Sequence, residues 1–158
     1  MKKIRHFLQE QVKNNDDAET IKQLERILTI RKNRQERLES QTREYRRNLA
    51  DKEKELQTAI SEAQQFKQES IATIAALRED TTGQALSVNE IFEWKHKEVS
   101  LTQQVEQSFE NCDQIEAQKH AESKKLDDHL QVYKQAVIDA EKISLIKDEV
   151  ADKQREDA

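Results

Sequence analysis

Proline is absent from this 158-residue chain, and glycine and cysteine occur once each. Tight turns draw on glycine and proline, so folds built from many short strands or βα units are excluded. Apolar residues make up 34 % and aromatics 4 %, against about 45–50 % apolar in an ordinary globular domain. That is too little for a compact core. The lone Cys112 allows no internal disulfide and no Cys-based zinc site, and nothing argues for an oxidising compartment. Long apolar runs are missing too: none approaches the roughly 18–20 residues of a membrane span. Arg5, His6 and Glu10 break up the first apolar cluster, which is therefore no secretory signal. The expectation is a soluble cytoplasmic protein. One glycine cannot build a phosphate-cradling loop, and His6, His96, His120 and His129 show no metal-ligand spacing. Paired acids such as Asp127-Asp128 have no concavity around them to shift their pKa values. No catalytic residue, cofactor or metal is expected, and the chain does not read as an enzyme.

What the chain does have is charge and period. Charged residues reach 37 %, with 27 basic against 32 acidic side chains and a formal net charge of −5. Disorder is disfavoured because the apolar residues recur at helical spacing. One place reads as a turn, Asp80-Thr81-Thr82-Gly83-Gln84-Ala85-Leu86-Ser87, with Gly83 suited to the left-handed residue that ends a helix. A start signal follows. Ser87 and Glu90 form an S-x-x-E capping box, and Leu86 and Ile91 occupy the two positions of a hydrophobic staple. A first helix is expected to begin near Asn15, Asp16 or Asp17, where short polar side chains cap and acids favour the positive end.

Between these signals run two stripes. The first steps by alternating threes and fours through Ile21, Leu24, Leu28, Arg31, Gln35, Leu38, Thr42, Tyr45, Leu49, Lys52, Leu56, Ala59, Ala63, Phe66, Ser70, Thr73 and Leu77. The second resumes after the turn at Ile91 and Trp94 and continues through Glu98, Leu101, Val105, Ser108, Cys112, Ile115, Lys119, Glu122, Leu126, His129, Tyr133, Ala136, Ala140, Ile143, Lys147 and Val150. A mean step of 3.5 asks for a partner helix along a narrow seam. Residues 16–80 and 88–150 would give arms of about 97 and 95 Å at roughly 1.5 Å per residue. Equal arms joined by a tight turn can bury each other, which predicts an all-α, long antiparallel two-helix coiled-coil hairpin. The competing arrangement, one continuous helix in a parallel dimer, leaves the capping box without a purpose. The expected organisation is an N-terminal extension over 1–14, a single hairpin over 15–150 (helix 15–80, turn 81–87, helix 88–150) and a charged tail over 151–158. Ile4, Phe7, Leu8 and Val12 could make the extension a short amphipathic helix; fraying is the alternative.

The seam is interrupted by polar residues, which fix register at some cost in stability. With the turn near residue 84, residue i faces approximately 168 − i, setting Lys52 near Glu116 and Lys119. Near Ser70–Ile74 the stripe shifts by about one residue. Ile30, Ile60, Ile71, Ile74, Phe92, Val99, Phe109, Leu130 and Val137 lie beside the stripe, so some must be exposed or meet another protein. Charge is uneven: residues 26–47 carry eight basic residues against three acids, whereas residues 48–158 carry 14 basic and 24 acidic residues. A positive band on an acidic chain suits an acidic partner. Arg31, Arg34, Arg37, Tyr45, Arg46 and Arg47 are therefore candidate partner-binding residues. A solvated face paired at i,i+4 is the plainer reading. Nucleic acid is opposed by the interspersed glutamates, the lack of stacking aromatics and the negative total. Phe92 and Trp94, just past the cap, are candidate anchors, although Trp94 also fits the stripe.

Two segments resemble a known family. Leu24-Glu-Arg-Ile-Leu-Thr-Ile-Arg-Lys-Asn-Arg-Gln-Glu-Arg-Leu38 is similar to the L-x-x-I-L-x-I-R-x-x-R opening of the YscO/FliJ family of type III secretion. Val88-Asn-Glu-Ile-Phe-Glu-Trp-Lys-His-Lys-Glu-Val-Ser-Leu101 resembles the [LI]-x-x-W-x-x-x-[IV]-x-x-L stretch that begins the return helix of YscO-type members. The segment before Leu24 departs from the family's compact N-terminus. The resemblance implies a non-enzymatic, stalk-like hairpin linking the hexameric secretion ATPase to the cytoplasmic domain of the export gate and binding secretion chaperones. It implies a monomer at the cytoplasmic face of the inner membrane and a part in virulence. It also sets Arg31, Arg34 and Arg37 in the arm end expected to enter the ATPase. A structural coiled-coil adaptor unrelated to secretion, and a nucleic-acid-binding hairpin, are the alternatives.

Overall fold

The computed structural model describes residues 2–157, with side chains from residue 15 onward. The expectation of an apolar face from Ile4, Phe7, Leu8 and Val12 concerns side chains outside those described. Two helices make up the chain, α1 over Lys2–Thr81 and α2 over Val88–Glu156. They form an all-α helical hairpin. Helix α1 does not begin at Asn15–Asp17 as the capping residues suggested; the backbone is helical from Lys2. Short polar side chains favour a cap, but no glycine or proline there stops the helix. Thr20 Oγ1 instead donates to the Asp16 carbonyl at 2.8 Å, four residues back, inside a continuing helix. Helix α2 likewise runs into the expected tail, ending at Glu156.

The turn follows its residues. Gly83 has φ +79°, in the left-handed region, and closes the first arm. The Thr82 and Gln84 N–H groups donate to the carbonyls of Glu79 and Thr81 at 3.2 and 3.3 Å. At the start of α2 the capping box is formed in both directions: the Glu90 N–H donates to Ser87 Oγ at 3.2 Å, and the Ser87 N–H donates to Glu90 Oε2 at 2.7 Å. These bonds from Ser87 hold the Glu90 carboxyl below the ordinary carboxylate range. Leu86 is half-buried, but Ile91 is exposed and so does not take the stripe position expected of it.

Contacts gather into two units, one of Met1–Tyr45 with Lys125–Ala158 and one of Arg46–Lys124. In the first, Leu28, Ala136, Ala140 and Thr42 are buried. In the second, Ala63, Ser70, Cys112 and Ile115 are. Every stripe residue from Ile21 to Ser70 and from Trp94 to Val150 is buried or half-buried. Thr73 is the exception on α1: it is exposed, its hydroxyl donates to the Glu69 carbonyl at 2.8 Å, and Ile74 takes its place in the seam. Two successive steps of four, Phe66 to Ser70 to Ile74, cause this. Such a stutter locally unwinds the supercoil. Just there Ser70 Oγ and Trp94 Nε1 are buried without hydrogen-bond partners.

Polar seam residues are matched across the hairpin within each unit. Arg31 Nη1 lies 3.7 Å from Asp139 Oδ2, and Lys147 Nζ lies 3.4 Å from Glu25 Oε1. Lys52 falls where the register sets it, between Glu116 and Lys119: its Nζ donates to Gln118 Oε1 at 2.9 Å and to Glu55 Oε2 at 2.8 Å. A long flexible cation chooses among acceptors one turn apart, which a residue-level register cannot resolve.

Three outcomes are expected. Ser87→Ala should lower unfolding stability by about 1 kcal/mol, read from urea melts. The contribution of Glu90, whose folded pKa is depressed, should be complete above its unfolded pKa and fade as pH falls through the lower folded value, so that Glu90→Gln flattens the acid limb of the melting profile. Ser70→Ala should leave the protein as stable or raise it by about 1 kcal/mol, since it removes an unpaired buried hydroxyl and favours the helix. A large loss on Ser70→Ala would mean that the hydroxyl is satisfied.

Candidate functional site

The candidate partner-binding residues divide by what already holds them. Arg31 is half-buried and tied to Asp139, so it belongs to the seam as much as to the surface. Arg34, Arg37, Arg46 and Arg47 are exposed. Tyr45 is half-buried, its ring centroid 4.9 Å from that of His129 at a 43° tilt. Sequence reading placed His129 in the stripe but missed this partnership.

His129 also closes a polar layer. Its Nε2 stands 2.9 Å from the Leu38 carbonyl, which accepts the Thr42 hydroxyl at 2.8 Å as well. A carbonyl can only accept, so Nε2 is the protonated nitrogen. The seam here is fastened across 91 residues of sequence by one ring. Tyr45 is therefore occupied inside the hairpin, and the free part of the basic band is Arg34, Arg37, Arg46 and Arg47.

At the start of α2 the two aromatics part company. Phe92 is 68 % exposed, whereas Trp94 is half-buried in the stripe with the Arg78 guanidinium 6.0 Å from its ring. Arg78 in turn binds the Glu98 carboxylate. Trp94 is thus a seam residue covered by a cation–π contact, and Phe92 points away from the seam. Neither arrangement carries chemistry beyond binding. No cluster of three or more His, Cys, Asp or Glu residues that could hold a metal occurs among the described residues. No described helix is long and apolar enough to cross a membrane.

The family model of the type III secretion protein YscO matches residues 24–158. The chain belongs to the YscO family. The match begins at Leu24, where the quoted opening pattern starts, and takes in α1 from there on, the turn and the whole of α2. No curated protein and no solved structure matches the chain. The YscO family is one of type III secretion components, a structural and secretion family and not an enzymatic one.

Arg34→Ala and Arg37→Ala should change stability by no more than about 0.5 kcal/mol. His129→Ala should cost roughly 1–3 kcal/mol, through the lost ring contact and the lost buried hydrogen bond. Urea unfolding separates them. Equal losses at all three positions would place the arginines inside the structure instead of on its binding surface.

Proposed function

We infer that this YscO-family chain is a stalk-like component linking the secretion ATPase to the export gate and binding secretion chaperones. The observation that carries the reading is the band over residues 26–47, eight basic against three acidic side chains, whose Arg34 and Arg37 are exposed and outside the seam. Paired helices held by a seam can pass a push or a twist from one partner to the next. Cations unclaimed by that seam can meet an acidic surface without the folded hairpin giving anything up. The expected site is cytoplasmic, at the inner-membrane face of the apparatus. Phe92 is the second expected contact, an aromatic free to enter a pocket on a partner.

Charge reversal tests the first contact. Replacing Arg34 and Arg37 by Glu should weaken capture of the secretion ATPase at least about tenfold while circular dichroism stays unchanged. Adding Arg31→Glu should weaken it further, with some loss of stability from the Asp139 pairing. Undiminished capture by the folded double variant would discard the ATPase contact. Retention of the wild-type chain on heparin with a steep salt dependence would favour nucleic acid instead.

A further inference from the structure

Residues 46–124 carry 15 acidic and 10 basic residues, yet one of their faces is apolar and basic. On α1, Ile60, Lys67, Ile71 and Arg78 follow at spacings of seven, four and seven, which keeps them in one row beside the seam. On α2, Val88, Phe92, Lys95 and Val99 form a row at four, three and four on the outer flank of the seam residues, with Phe92 farthest from the seam. Phe109, at the far end of the α2 side, joins the two: Lys67 Nζ lies 5.9 Å from its ring centroid. A shallow groove runs there between Gln64, Lys67, Gln68, Ile71 and Phe109. Ile71 is 58 % exposed and Val99 54 %. The named members of the two rows include no acid; Glu106, seven residues beyond Val99 and short of Phe109, is the one carboxylate that continues the α2 row, and Glu98 of the same stretch is taken by Arg78. The sequence had marked Ile60, Ile71, Phe92, Val99 and Phe109 as off the stripe; the fold brings them onto one side.

We propose that this face seats an acidic amphipathic helix of a partner protein. Two apolar rows at helical spacing, one on each arm, offer the ridges and groove that a third helix fills with residues at i, i+4 and i+7. Lys67 and Lys95 then stand opposite the flanking positions of that helix, and carboxylates there complete the charge. A second copy of the chain does not suit the face, because a two-fold contact sets Lys67 and Lys95 against their own kind. An anionic lipid surface does not suit it either, since the net charge of −5 over residues 46–124 repels such a surface around the two rows. The proposal deepens the docking role inferred above and gives Phe92 neighbours to act with.

The full chain should be titrated with three probes by fluorescence anisotropy: an amphipathic helix of about 18 residues built from Leu and Glu, its Leu and Lys counterpart, and phosphatidylglycerol vesicles. The acidic helix should bind at least about tenfold more tightly than the basic one. Ile71→Glu with Val99→Glu should weaken it by about tenfold or more. Lys67→Glu alone, which leaves the apolar row intact, should narrow the preference between the two helices. All three substitutions fall on exposed positions, and helicity should not change. Equal affinity for the two peptides, no micromolar binding of the acidic one, or binding to vesicles in its place each overturns the proposal. Arg34 and Arg37 lie outside residues 46–124, so ATPase capture reports separately on the function inferred above.

Discussion

Two helices with only each other to pack against can dry no more than one stripe apiece. Everything else in this molecule follows from that limit. The stripe has to stay on one side for the length of each helix, which forces the alternation of threes and fours and leaves no room for a second apolar face in the interior. It also keeps the buried residues small or few. Alanines at 63, 136 and 140 are among the most buried side chains, and no large side chain among the described residues is fully enclosed. With so thin a core, hydrophobic burial alone specifies register weakly. The cross-hairpin contacts of Arg31 with Asp139, Lys52 with Gln118 and His129 with the Leu38 carbonyl fix it at intervals.

That limit explains why the fold was legible and where legibility stopped. A narrow seam translates directly into a sequence period, so residues from Ile21 to Ser70 and from Trp94 to Val150 could be placed without any tertiary information. The turn was legible because Gly83, Ser87 and Glu90 each have a local job that few other residues do. The one-residue shift near Ser70–Ile74 was legible, but strict alternation still set Thr73 in the stripe, because a stutter is a change of period that such a count steps over. The start of α1 was misplaced because capping residues permit a helix end without enforcing one.

The candidate surface was legible only in composition. Counting charge over residues 26–47 found a basic band, yet the count cannot say which cations are already spoken for. Arg31 and Tyr45 sit in the stripe and are engaged by Asp139 and His129, whereas Arg34, Arg37, Arg46 and Arg47 are exposed. Trp94 and Phe92, two residues apart, divide in the same way. An α-helix turns about 200° over two residues, so if one faces the seam the other cannot.

A seam that holds the hairpin together also determines what can be offered to partners. Residues off the stripe contribute little to the fold of a two-helix protein, and a large exposed isoleucine or phenylalanine there favours association over solubility. Scattered around the helices, such residues would carry no argument. Gathered into rows on one side of the helices, with lysines among them and Glu106 as the one carboxylate in line, they form a surface whose composition opposes the acidic chain that bears it. The basic band and this apolar, basic face belong to different stretches of sequence and have different chemistry. Arg34 and Arg37 suit an interaction that is electrostatic and weakened by salt. Ile71, Phe92 and Val99 suit one that survives salt and depends on fit. A hairpin able to engage partners in both ways needs neither a cavity nor a movable loop, and it can do so with its seam intact.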